Sequence, residues 1–216
     1  MIISLQNKPL GQINLGTERG QIIKDLASMP TVKTIVEIGT WNGYGSTQCV
    51  LAGIKDKKGC EFYTIEVNKE MYQKALRSDP KLPYVHFING RIIEVDDFIS
   101  EEYWPPAQSH NLSKWLPISI KDHDEVDNVL HMLPKNIDFL ILDGGEFSTR
   151  AEWEILRDRT KFVFLDDTEA LKNIANREEL LESGEFDLIK DVRAPSPHDP
   201  VQEYHHGWSV FLRKDK

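Results

Sequence analysis

The chain has 216 residues, 40% of them hydrophobic and 28% charged, and a formal net charge of -9. That length suits one α/β domain, which can bury about 70% of the surface its unfolded chain exposes, so folding needs no disulfide or metal staple. The composition excludes fibrous, low-complexity and disordered classes, and basic residues scattered on an acidic chain speak against a nucleic-acid partner.

Residues 1–16 (MIISLQNKPLGQINLG) lack the basic segment, apolar run and small-residue cleavage site of a secretory signal, which points to a cytoplasmic location. No apolar stretch approaches the roughly 18 residues of a membrane span. The two cysteines, Cys49 and Cys60, form no C-x-x-C pair and read as reduced, inert thiols.

In chain order, TERGQIIKDLASMP places Ile22, Ile23 and Leu26 on one helical face and ends near Pro30. TIVEIGT (34–40) is a β-branched apolar strand that runs into a glycine-rich turn, and GSTQCVLAG follows as a helix. The pattern repeats: EFYTIEV (61–67) is a strand, and KEMYQKALRS is a helix with Asn68 at its N-cap. YVHFING (84–90), IDFLILDGG (137–145) and KFVFLDDT (161–168) are further strands. Between the last two lies a helix with Trp153 and Leu156 at core spacing and Thr149 and Glu152 as a capping-box pair. Strand and helix alternating in this way predict a parallel sheet within a single domain spanning 1–216. The end breaks the alternation, because FDLIKDV (186–192) and GWSVFLRK (207–214) have no helix between them and pair only as antiparallel strands.

The turn Glu37-Ile-Gly39-Thr40-Trp41-Asn-Gly43-Tyr-Gly45 joins the first strand to its helix, where a doubly wound sheet binds its ligand. Dinucleotide sites space their glycines G-x-G-x-x-G to seat a pyrophosphate on the helix N-terminus. Here the first two glycines are four apart and an acid stands two residues before them, which suits a cationic ligand without phosphate. Glu66 ends the second strand, where a carboxylate accepts hydrogen bonds from both ribose hydroxyls. Alone it would read as a solvated loop end, but it follows the glycine turn at the expected separation of roughly 20 residues.

EIGTWNGYG followed by TIEVN resembles the class I S-adenosylmethionine-dependent methyltransferases, and is most similar to the small-molecule O-methyltransferases of the catechol and caffeoyl-CoA type. The resemblance implies a Rossmann-like seven-stranded sheet of order 3-2-1-4-5-7-6 with its last strand antiparallel, and S-adenosylmethionine as cofactor. By it, Glu37, Gly39, Thr40, Trp41, Gly43 and Gly45 line the methionine part, Glu66 holds the ribose, Gly90 and Arg91 flank the adenine, and Asp143 sits near the methyl group. The acceptor is then a small molecule or a glycan.

Three segments bear on the acceptor side. The 46 residues between Gly90 and Ile137 exceed one crossover helix, so a lid or interaction insertion is expected at about 100–121, with Trp104 and Trp115. The loop RAPSPHDPVQEYHH (193–206) carries His198, Tyr204, His205 and His206, and His205 and His206 are candidate general bases, against the simpler reading of a polar surface loop. Asp143, Asp166 and Asp167 end two strands expected to be neighbours. In the catechol-type family an Asp and an Asp-Asn pair at similar places bind magnesium, so the resemblance implies Mg²⁺ held by these three. This chain has Asp-Asp instead, and Glu146 where the catechol branch has a lysine. The alternative is that Asp143 touches only the cofactor while Asp166 and Asp167 cap a helix beginning near Thr168. Two other functions fit parts of the pattern: a nicotinamide-dependent oxidoreductase, and a non-catalytic scaffold that keeps the fold.

Overall fold

The computed structural model describes residues 11–104, 109–194 and 205–214. Thr17 caps the first helix, α1 (Glu18–Ser28), its hydroxyl accepting from Gly20 N at 3.1 Å. β1 (Thr34–Ile38), α2 (Ser46–Ile54), β2 (Glu61–Glu66), α3 (Lys69–Ala75) and β3 (Val85–Asn89) follow in the expected alternation. Asn68 caps α3 as the sequence predicts, accepting from Met71 N at 3.0 Å. Next come α4 (Ser109–Asp124), β4 (Ile137–Leu142), α5 (Thr149–Leu156), β5 (Thr160–Asp166), α6 (Leu171–Glu182), β6 (Phe186–Val192) and β7 (Trp208–Arg213).

The seven strands form one sheet of order β3-β2-β1-β4-β5-β7-β6. β3 to β5 are parallel, whereas β7 runs antiparallel to both β5 and β6. Alternation of side chains along the strands divides the core into two layers. Ile35, Phe62, Phe139, Ile141 and Phe164 pack with Ile23 and Leu26 of α1 and Val50 and Ile54 of α2. Val36, Ile65, Leu140, Leu142 and Val163 pack on the other face with Trp153 and Leu156 of α5 and Leu180 of α6. Both cysteines are buried and free, and Trp153 and Trp208 are core residues.

One local expectation is corrected. The Thr149–Glu152 capping box does not form: Ser148 is the N-cap of α5 and makes no side-chain cap bond, while the Thr149 hydroxyl donates back to Gly145 O at 2.8 Å. Glu152 is thereby left for another role. In the expected insertion, Trp104 packs with Leu112, Phe147 and Leu171 in a third small core. α4 is the crossover helix between β3 and β4, and Trp115 on it is exposed. Among the described residues, no helix is long and apolar enough to cross a membrane.

Candidate active site

Strand order reverses between β1 and its neighbours β2 and β4, and ligands of open α/β sheets bind outside the carboxyl ends of the strands at such a point. A cavity of about 640 Å³ opens there, within the range of roughly 300–1,000 Å³ usual for ligand sites. Its wall runs from Gly39, Thr40 and Trp41 through Gly45 and Ser46, at the start of α2, to Glu66 on one side and Asp143 on the other.

Gly39 adopts a left-handed conformation, φ +98°, and its N–H donates to Ile65 O at 3.0 Å. Trp41 takes φ +52° without being glycine, which aims its N–H at Glu66 Oε2, 2.6 Å away. Such backbone strain concentrates at functional sites. The other carboxylate oxygen of Glu66 accepts from Asn68 N at 2.8 Å. Each oxygen thus keeps a lone pair for a ligand hydroxyl.

Gly90 and Arg91 also line the cavity, but the Arg91 guanidinium is engaged, donating to His123 O at 3.0 Å and to Val126 O, and pairing with Glu94 at 2.6 Å. Glu37 and Gly43 do not line it. Glu37 is fully buried behind the turn, where one oxygen accepts from Thr47 Oγ1 at 2.7 Å and Thr64 Oγ1 at 2.5 Å, so it ties β1 to α2 and β2. Gly43 faces α3, since a Cβ there would lie 3.1 Å from the Ala75 Cα.

Several wall residues escaped the sequence reading: Gln12 and Ile13, Ile118 and Asp122 of α4, and Ser148 and Glu152. Ser148 Oγ and Glu152 Oε2 are buried at the wall, the Glu152 carboxyl close to the Ser148 and Thr149 hydroxyls and with no bond of good geometry to them, which leaves room for a polar ligand. Burial pushes the carboxyls of Glu37, Glu66 and Glu152 each up to about 7.

The three aspartates do converge, each offering an oxygen within 4.8 Å of the others. Lys172, in the first turn of α6, enters this cluster: its Nζ lies 2.8 Å from Asp143 Oδ1 and 2.9 Å from Asp167 Oδ2. Arg19 of α1 reaches the third acid, with Nη1 3.0 Å from Asp166 Oδ1 and both side chains buried. Burial opposes the Lys172 charge, but the carboxylates of Asp143, Asp167 and Asp166 outweigh it and hold the ammonium protonated well above its usual range. Burial, and next the charge of Asp143, push Asp166 up to about 7. The capping alternative does not hold, because α6 begins at Leu171 and its N-cap is Ala170.

His205 and His206 lie beside this cluster without lining the cavity. His205 is buried and its Nδ1 accepts from Gly207 N at 2.9 Å, while the backbone N of His206 donates to Asp167 Oδ1 at 3.4 Å. His198 and Tyr204 fall outside the described residues.

The fold is shared with solved methyltransferases. A Klebsiella pneumoniae protein described as an O-methyltransferase superposes with a TM-score of 0.60 at 15% identity, covering 95% of this chain and 84% of that one. A Staphylococcus aureus protein described as a caffeoyl-CoA O-methyltransferase gives 0.55 at 18% identity, covering 90% and 82%. An SAH-bound methyltransferase from Podospora anserina gives 0.55 at 16% identity, covering 91% and 78%. No curated protein matches the sequence. Sheet order and neighbours define a Rossmann-like class I methyltransferase fold. Within it, residues 3–102, just under half of the chain, match the family model described as O-methyltransferase.

The residues fit S-adenosylmethionine, the cofactor that the resemblance implies, with a glycine turn for close approach, Glu66 placed for a ribose, and Glu152 Oε2 buried at the wall. Ribose hydroxyls donating to Glu66 favour its ionised form, and Glu66 is already buried, so further desolvation on binding is small. Cofactor binding is therefore expected to release a proton, and affinity to rise by up to about tenfold between pH 6 and 8. In the cofactor-free protein the sign is opposite. Each raised glutamate contributes stability that is full below its unfolded value of 4.5 and is lost as pH rises through about 7. Glu66→Ala is expected to weaken binding by about 1.5–3 kcal/mol and to flatten the pH dependence of affinity, as measured by calorimetric titration. A pH-independent wild-type dissociation constant would contradict the ribose assignment.

Proposed function

We propose that the chain methylates a hydroxyl oxygen of a small-molecule or glycan acceptor, and does so in the cytoplasm. The observation that carries this reading is the placement of Glu66 and Asp143 at the ends of β2 and β4, on either side of the glycine turn and in one cavity. When bound, S-adenosylmethionine supplies an electrophilic methyl carbon, which an acceptor oxygen takes as the carbon–sulfur bond breaks and S-adenosylhomocysteine is left.

The chain's own residues do the rest. Glu66 fixes the ribose end, and the Gly39–Gly45 turn lets the backbone approach the amino-acid end closely. Asp143, whose Oδ1 is held by Lys172, keeps its second oxygen for the acceptor's proton. His205 and His206 serve in this reading to hold the 205–207 turn against Asp167. No step runs through a divalent ion, because the carboxylates that would hold magnesium already hold Lys172 and Arg19.

The O-methyltransferase family match supports oxygen as the accepting atom. The test is incubation with methyl-labelled cofactor and a panel of phenols, vicinal diols and sugars. Base-stable label in an ether product is expected, and label recovered only in amines or base-labile esters would contradict it.

A further inference from the structure

We infer that Lys172 takes the place of a divalent cation at this active site, so that Asp143, Asp166 and Asp167 form a closed ion-pair cluster and methyl transfer proceeds without a bound metal. The consequence for catalysis rests on the methyltransferase reading, whereas the occupancy of the cluster does not.

The lysine is built into its position. Asn173, its neighbour, donates through Nδ2 to Leu142 O at 3.0 Å and to Asp166 O at 2.7 Å, which stitches the start of α6 across the ends of β4 and β5. Asn176 Nδ2 donates in turn to Asn173 Oδ1 at 3.0 Å. The backbone N of Lys172 donates to Glu146 Oε2 at 3.2 Å, so Glu146 serves here as a support for the lysine. The Lys172 side chain is only 7% exposed, and its Nζ bridges Asp143 and Asp167.

Magnesium requires oxygens at about 2.0–2.1 Å in near-octahedral array. An ion on the facing oxygens of Asp143 and Asp167 would compete for the space Nζ fills, and elsewhere among the three carboxylates it would meet a fixed ammonium. The third acid is committed to Arg19. A fixed ammonium differs from a metal ion in chemistry as well as in charge. It donates hydrogen bonds and orients Asp143, but it offers no open coordination position to an acceptor oxygen. Lys172 is therefore a positioning residue for Asp143.

The test is titration with Mn²⁺ alone, followed by calorimetry and by electron paramagnetic resonance, on the wild type and on Lys172→Met. The wild type is expected to bind no Mn²⁺ at this cluster up to millimolar concentration. Lys172→Met, which removes the charge and keeps the length, is expected to gain Mn²⁺ affinity by about tenfold or more, the order expected when a like charge leaves a partly buried site. Adding Asp167→Asn to that variant should abolish the gain. Micromolar Mn²⁺ binding by the wild type that disappears in Asp167→Asn would overturn the inference, as would a folded Lys172→Met with no gain. Should Lys172→Met fail to fold, the wild-type titration decides alone: micromolar binding overturns the inference and its absence up to millimolar supports it. Binding of S-adenosylmethionine to the wild type is measured in parallel; its loss would strike the methyltransferase reading and leave the Mn²⁺ result standing.

Discussion

Gly39→Val is expected to abolish cofactor binding and to destabilise the fold at the same time. A Cβ at Gly39 would overlap the carbonyl of Asp143, its carbon 2.6 Å away, just past the end of the adjacent parallel strand β4. Both partners are backbone, so the clash is relieved only by parting β1 from β4 at the mouth of the cavity. The φ of +98° adds a conformational cost, since a β-branched residue is excluded from that region. Strain and overpacking together come to about 3 kcal/mol or more, or some 6–12 °C in Tm for a chain of this size. The reason is thus the neighbouring strand before it is the ligand. Thermal melting with parallel cofactor titration checks the result, and a variant that melts and binds like the wild type would mean that the turn is misassigned.

Asp143→Asn should act on turnover and leave binding nearly untouched. The substitution keeps the shape and an oxygen for Lys172 Nζ but removes the carboxylate that receives the acceptor's proton. Loss of a general base lowers kcat by about 10²- to 10⁴-fold. The dissociation constant for S-adenosylmethionine should change by no more than a few-fold, because Glu66 and the glycine turn are unaltered. Single-turnover kinetics with an identified acceptor separates the two quantities, and unchanged kcat would remove Asp143 from proton transfer.

What could be read from the sequence was local. The β1 turn, Glu66 at the end of β2, and the cap at Asn68 each depend on residues within a few positions of one another, where periodicity and turn chemistry act. Strand order came from the family resemblance together with the missing helix between β6 and β7. The ion pairs escaped because they are not local: Arg19 and Asp166 are 147 residues apart, and nothing near either announces the other. Glu152 was misread for the opposite reason. Its spacing from Thr149 matches a capping box, but Ser148 holds the N-cap, and the tertiary fold turns the carboxylate to the cavity wall.

Lys172 did leave a signal. A cation in the first turn of a helix opposes the macrodipole, so its presence there calls for a compensating anion. The acid pair five and six residues earlier, together with Asp143, supplies it.

The central claim, that the cavity at the end of β1 is a site for S-adenosylmethionine, is tested most directly by calorimetric titration of the wild-type chain with S-adenosylmethionine, S-adenosylhomocysteine and NAD⁺. One-to-one binding of the first two at micromolar concentration, with no heat from NAD⁺, is the predicted result. Binding of NAD⁺ with none of either sulfur compound would contradict it.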